Sequence, residues 1–248
     1  MDNVVQLHYP QPEIAVISIQ EREGRNTLTK RLCSGINQAF DAIEANPLVK
    51  VVVTQGYENY YLCGGTKEEL IELTKGETTF AELDFFTRPL RCKLPTIAAV
   101  HGHAIGGGLA FACLHDFIFL ASGVIYSANF MKYGFTPGMG STYTIPKRFG
   151  IQCGQEMLFT AKHYCREELE RMNCMLPFYP KNEVVELALE LAKQISDKTM
   201  VSIKLLKEQL SSETRNELPG VIENEKRMHA KTITTQEAIR RIKSEYGI

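Results

Sequence analysis

Ala104-Ile105-Gly106-Gly107-Gly108-Leu109-Ala110 joins the β-branched run from Thr96 to Val100 to an apolar helical run reaching Phe117. Adjacent glycines where a strand turns into a helix leave backbone N–H groups bare, so an anionic oxygen can approach without meeting a β-carbon. Spacing argues against two common users of such turns. The dinucleotide pattern G-x-G-x-x-G is absent, and no Lys-Ser or Lys-Thr follows as a phosphate-binding loop requires. Alone, the stretch reads as a tight turn packing a helix onto a sheet.

Upstream, Cys63-Gly64-Gly65-Thr66 repeats the arrangement: it follows Val51-Val52-Val53-Thr54 and opens a helix expected over Lys67 to Lys75. Two separated glycine turns, each ending a strand and starting a helix, can aim two N–H groups at one carbonyl oxygen. That is an oxyanion hole, in which each donor stabilises a transition state by roughly 3 kcal/mol.

Around these turns, strands and helices alternate. Ile14 to Ile19 reads as a strand, Leu28 to Glu44 as a helix, Lys50 to Thr54 as a buried strand and Thr78 to Arg91 as a helix. Thr96 to Val100, Gly107 to Leu114 and Phe117 to Ala121 then read as strand, helix and strand. Repeated strand–helix units predict an α/β protein with crossover connections and stacked sheets. From Glu183 the character becomes helical, with amphipathic segments at Glu183 to Ile195, Met200 to Leu210, Leu218 to Lys231 and Thr235 to Tyr246.

Composition fits a cytoplasmic enzyme with one main domain. The 248 residues carry a formal net charge of −1, which gives no electrostatic basis for binding nucleic acid or an anionic membrane. Seven cysteines lack C-x-x-C pairing and are expected as thiols; the N-terminus does not read as a signal peptide and no apolar run spans a bilayer. His101 and His103 flank the glycines at i, i+2, but no third ligand completes a metal geometry, so neither a metal nor a cofactor is expected. Cys63 has no base beside it in sequence and reads as a packing residue.

Gly64-Gly65, His101-Gly102-His103-Ala104-Ile105-Gly106-Gly107-Gly108, Tyr133-Gly134 and Thr136-Pro137-Gly138 together resemble the crotonase (enoyl-CoA hydratase/isomerase) superfamily, with Asn26-Thr27-Leu28 matching its N-terminal signature. The likeness runs from about Ile14 to the C-terminus. It implies a crotonase fold of repeated ββα units forming stacked sheets, with a core at 1–195 and a C-terminal helical oligomerisation region at 196–248 that supports trimers or hexamers. It also places Gly65 and Gly107 where the family's oxyanion N–H groups lie.

The departures matter most. The two glutamates with which hydratases of this superfamily manage a proton and a water fall here on Ala110 and Phe130. Apolar residues perform no acid–base catalysis on water. A reaction that needs a polarised thioester but no water is loss of CO₂ from a carboxylate vinylogous to it, with Phe130, Met131 and Phe135 as apolar, desolvating residues. The run Asn129-Phe130-Met131-Lys132-Tyr133-Gly134-Phe135-Thr136-Pro137-Gly138-Met139-Gly140 resembles the decarboxylating branch found in polyketide β-branching cassettes. That resemblance implies a decarboxylase of 3-methylglutaconyl thioester on the phosphopantetheine of an acyl carrier protein, giving a 3-methylcrotonyl-type product; a free-standing enzyme is expected because no carrier-protein or other domain flanks the core in the sequence.

It further implies a late-helix catalytic histidine, which falls on His229, and a lysine partner. Lys75 is the expected partner, with Lys67 as the alternative and a substrate contact beside Phe130 and Phe135; Lys132 reads equally as a charge flanking a loop. Two other classes stay open. An enoyl-CoA hydratase or double-bond isomerase would need a substitute base such as His229, and an inactive acyl-thioester-binding module would keep the cradle without chemistry.

Overall fold

In the computed structural model, which describes residues 4–75 and 84–246, Val5–Gln11 (β1) and Ile14–Ile19 (β2) pair antiparallel. Lys30–Ala45 (α1) then crosses over, so that Val51–Gln55 (β3) joins β2 in parallel. Its N-cap is Thr29, whose hydroxyl accepts from Leu32 N–H, and its buried face is Leu32, Cys33, Ile36, Ala39, Phe40 and Ile43.

Three ββ pairs follow the same rule. After β3 comes Tyr60–Leu62 (β4), after Thr96–Val100 (β5) comes His103–Ile105 (β6), and after Phe117–Ala121 (β7) comes Tyr126–Ser127 (β8). The first strand of each pair enters a six-stranded sheet of order β1-β2-β3-β5-β7-β9, closed by Phe178–Tyr179 (β9); the second enters a three-stranded parallel sheet, β4-β6-β8. Two stacked sheets result. Because β2 and β5 are buried along their whole length, they read as unbroken apolar runs rather than alternating ones. Lys67–Leu73 (α2) and Gly107–Cys113 (α4) follow β4 and β6, so both glycine turns lie where the small sheet gives way to helix.

The remaining helices cover the sheets. Arg88–Arg91 (α3) follows a 3₁₀ turn at Asp84–Thr87; Ser141–Phe149 (α5), Ile151–Thr160 (α6) and Arg166–Arg171 (α7) fill a stretch without a clear sequence signal. Val184–Ser196 (α8) packs on β3, β5 and β7. The helix expected over Thr78 to Arg91 is seen only as the Asp84–Thr87 turn and α3, its first part lying outside the described residues.

One expectation is corrected outright. The segments Met200 to Leu210 and Leu218 to Lys231 are one continuous helix, Met200–Thr232 (α9). The polar stretch between them is docked rather than looped out: the Arg215 guanidinium donates to the carbonyls of Leu90 and Cys92 (both 3.1 Å), while buried Lys207 bridges Asp116 (2.7 Å) and Pro89. Pro219 inside α9 costs one helical hydrogen bond, and Leu218 beside it packs on Gly140. Gln236–Glu245 (α10) returns to α2, where Lys67 Nζ donates to the Lys243 carbonyl (2.7 Å).

Candidate active site

A cavity of ≈300 Å³ opens between the two glycine turns, lined by Gly64, Gly65, Gly106, Gly107, Phe130, Phe135 and Met139, with Arg25, Asn129, Lys132, His163 and Tyr246 around it. The turns are close: a β-carbon built on Gly64 would lie 3.8 Å from Gly107 N, and one on Gly106 would lie 3.7 Å from Gly64 Cα. Gly106 holds φ +55° beneath the Asn129 side chain, a conformation and a space that suit only glycine. Among the described residues, neither the Gly65 nor the Gly107 N–H has an acceptor within the protein.

Each donor belongs to a peptide already polarised from behind. Leu28 N–H donates to the Gly64 carbonyl (3.1 Å), so the peptide that presents Gly65 N–H ends a hydrogen-bonded chain; Ala110 N–H does the same to the Gly106 carbonyl (3.1 Å) behind Gly107. Asn26 anchors the first turn. Fully buried at φ +56°, it donates to the Ile19 and Tyr61 carbonyls (both 2.9 Å) and accepts at its side-chain oxygen from Glu21 N–H (2.8 Å), while its own carbonyl accepts from Cys63 N–H (2.8 Å). Tyr246 closes the other side: its hydroxyl donates to the Gly65 carbonyl and its ring lies on Tyr133, centroids 5.5 Å apart.

A buried carboxylate sets the floor. Glu225 of α9 accepts from Gly140 N–H (2.6 Å), Thr142 N–H (2.8 Å) and the Thr142 hydroxyl (2.6 Å), fixing the left-handed Met139–Gly140 turn that presses Met139 against Gly107. At the far end of α4, His115 is fully buried, donates through Nδ1 to the Phe111 carbonyl (3.0 Å) and meets Thr54 (2.9 Å), which meets Tyr61 (2.8 Å). Burial pulls the His115 pKa down to about 3, so the ring is neutral. This polar chain ties α4 to β4, the strand that delivers Gly64 and Gly65.

Of the site residues expected from sequence, Gly65, Gly107, Phe130 and Phe135 share the cavity. His229 stands behind Phe135, ring centroids 5.2 Å apart at 73°, with Nδ1 3.1 Å from the Thr136 carbonyl; burial depresses its pKa. Lys75 follows α2 on the surface, paired with Glu72 (2.6 Å), and Lys67 points to α10; neither lines the cavity, because α2 turns that face toward solvent and α10. Lys132 does line it, 5.7 Å over the Tyr133 ring and close enough to depress the His163 pKa after burial has done so. Ala110 is fully buried in α4 and Phe130 nearly so, leaving no carboxylate at either hydratase position.

Sequence reasoning missed Asn26 as an anchor, and Asn129, His163, Glu225 and Tyr246. Asn129 sat inside the quoted run and was open to discovery; the others reach the site across the fold, with no local signal. His101 and His103 serve the backbone: His101 Nδ1 meets the Ala99 carbonyl (3.3 Å) and His103 Nδ1 accepts from Ile125 N–H (2.9 Å). Among the described residues no group of three His, Cys, Asp or Glu is placed to hold a metal, and no helix is long and apolar enough to cross a membrane.

This pairing of a split β-unit with two glycine N–H donors is that of the enoyl-CoA hydratase/isomerase family, to which the chain belongs, its family model matching residues 10–245. Within that family it is 39% identical over 245 residues to the bacillaene synthase decarboxylase PksI of Bacillus subtilis (strain 168), covering 99% of this chain and 98% of that one. A solved structure from a dehydratase/decarboxylase enzyme couple involved in polyketide β-branching superposes with TM-score 0.96 at 39% identity, covering 99% and 100% of the two chains. The ECH2 decarboxylase domain of CurF from Lyngbya majuscula gives 0.92 at 31%, with the same coverage. Methylglutaconyl-CoA hydratase of Rattus norvegicus is more distant, 25% identical over 238 residues, covering 91% of this chain and 74% of that one.

Proposed function

We propose that this protein decarboxylates an acyl thioester, 3-methylglutaconyl on an acyl carrier protein, to a 3-methylcrotonyl-type thioester during polyketide β-branching. One observation carries the reading: the two glycine turns line a cavity whose wall at one hydratase position is Phe130, while the other position, Ala110, is buried in α4, so neither offers a carboxylate. The similarity to two decarboxylases along almost the whole chain supports it.

In the proposed reaction the thioester oxygen accepts from Gly65 and Gly107. The bond between the γ-carbon and the carboxylate breaks, its electron pair passes through the double bond to that oxygen, and CO₂ leaves. The product is a dienolate held by the two N–H groups, each contributing about 3 kcal/mol. Phe130 and Phe135 keep water from the carboxylate, which favours the uncharged CO₂. His229 takes a proton at Nε2 and gives it to the dienolate carbon; burial makes its imidazolium a stronger acid than usual. Lys132, which lines the cavity, is the cation best placed to hold the carboxylate before it leaves as CO₂. Lys75, the partner expected from the resemblance, is the second reading, since it stands outside the cavity paired with Glu72.

The test is intact-protein mass spectrometry of a carrier protein loaded with 3-methylglutaconyl thioester. Loss of one CO₂ is expected, whereas gain of water would give the hydratase and an unchanged mass the isomerase or binding module. His229→Ala should cut turnover about 100-fold, the usual weight of a general acid. Lys75→Ala and Lys132→Ala compared under saturating substrate identify the cation, since the one that acts loses kcat. The residues at 196–248 we assign to oligomerisation, as trimers or hexamers: Val201, Leu205, Leu206 and Leu210 expose an apolar face of α9 that a partner would cover, and sedimentation reads it directly. A cytoplasmic location belongs to the same reading.

A further inference from the structure

One polar side chain of the cavity has no assigned task. Asn129 lines it and is half-buried, and among the described residues its amide makes no hydrogen bond. Its oxygen overhangs Gly106, where a β-carbon would lie 2.7 Å from Asn129 Oδ1. A Cα–H facing the amide suits the acceptor end, which leaves the two N–H donors of Nδ2 for the cavity. The backbone also gives Asn129 a companion. Asn129 and Lys132 are i and i+3 along the turn that runs into the 3₁₀ segment Met131–Tyr133, closed by Tyr133 N–H on the Phe130 carbonyl (3.1 Å), and residues three apart lie on one side of such a turn. Both line the cavity, and among the described residues lining it there is no carboxylate. An amide and an ammonium that share a space without acids make a site for an anion.

We propose that Asn129 is a binding residue for the acyl carboxylate, donating through Nδ2 beside Lys132. A neutral donor suits a group that must lose its charge: a second cation would hold the carboxylate more tightly than the uncharged CO₂ it becomes, and so raise the barrier. The amide fixes direction at less of that cost. Direction matters because the breaking bond has to stand upright on the plane of the conjugated thioester before its electrons can enter the double bond. Phe130 keeps water from the carboxylate in the proposed reaction, and its neighbours on the same turn supply the groups that hold it. This inference rests on that thioester chemistry, but its test needs no turnover.

The ligands are inert: 3-methylglutaryl pantetheine thioester, which has the carboxylate but no conjugated double bond through which to lose it, and 3-methylbutyryl pantetheine thioester, which lacks the carboxylate. Dissociation constants are measured by calorimetry at pH 7 for the wild type, Asn129→Ala and Asn129→Asp. Asn129→Ala removes the donor and should weaken 3-methylglutaryl pantetheine about tenfold. Asn129→Asp keeps the shape of the side chain, so it stays informative if the shorter variant unfolds, and its like charge should weaken the same ligand about 100-fold. The 3-methylbutyryl ligand should bind all three proteins alike. Equal weakening of both ligands overturns the proposal in favour of a role in holding the turn, and unchanged binding of 3-methylglutaryl pantetheine to Asn129→Asp overturns it outright. Failure of the decarboxylase reading appears separately, as an unchanged mass in the carrier-protein assay.

Discussion

Gly107–Gly108 and Gly64–Gly65 present the same N–H chemistry but are held by different forces. A β-carbon on Gly108 would stand 1.8 Å from the Leu62 carbonyl oxygen, and one on Gly107 would stand 2.7 Å from Leu28 Cδ1 and 2.8 Å from Met139 Sδ. That turn is fixed by close packing. On Gly65 the nearest atoms would be 3.7 Å away, in ordinary contact. Hydrogen bonds from Leu28 and Tyr246, and the anchor at Asn26, hold that side instead. One donor is therefore set by excluded volume and the other by polar bonds that can be removed singly.

Substitutions can break this contrast, and the largest effect is expected at Gly108. Gly108→Ala drives a β-carbon into backbone that cannot yield, so thermal unfolding should show a loss above about 4 kcal/mol or no folded protein. Gly107→Ala meets side-chain ends that can shift; about 1–3 kcal/mol of stability and about 100-fold in kcat should go as the donor moves. Gly65→Ala should leave stability within about 0.5 kcal/mol and cost less than tenfold in kcat. If Gly65→Ala proves as damaging as Gly107→Ala, the two turns are not held differently. Tyr246→Phe sharpens the contrast at smaller scale: losing one hydrogen bond of about 1 kcal/mol should lower kcat about fivefold with little change in melting temperature.

Acid should act on the packed side. Because burial lowers the His115 pKa from its ordinary 6.5 to about 3, the unfolded chain takes up a proton below pH 6.5 that the folded chain refuses. Its share of stability is thus complete above that pH and declines as pH falls, by up to about 1.4 kcal/mol per pH unit. His101, His103, His163 and His229 are shifted the same way and add to the slope. Urea midpoints at pH 7 and pH 5 should differ, and His115→Gln should reduce the difference.

The contrast also explains what could be read from the chain. Both glycine turns were legible because glycine at a strand–helix junction is a local signal, and β2, β3, β5 and β7 because long apolar runs are. The short strands of the second sheet were not: β4, β6 and β8 have two or three residues each, too few for a period to show. Helix α9 was read as two pieces because the docking of Arg215 and Lys207 that carries it through a polar stretch is contact with distant carbonyls and Asp116. In the site, the backbone donors followed from sequence, whereas Tyr246 and Glu225 reach it across 181 and 85 residues. Sequence spacing carries no information about such closures.

Cys63 gives the site a chemical property of its own. A thiolate next to a bound thioester would exchange acyl groups with it and strand the substrate on the enzyme. Burial raises the Cys63 thiol to about 12, so at pH 7 it stays protonated and far less of it is thiolate than of an exposed thiol. The same burial that keeps the thiol protonated thus protects an acyl thioester in the cavity from capture by the enzyme.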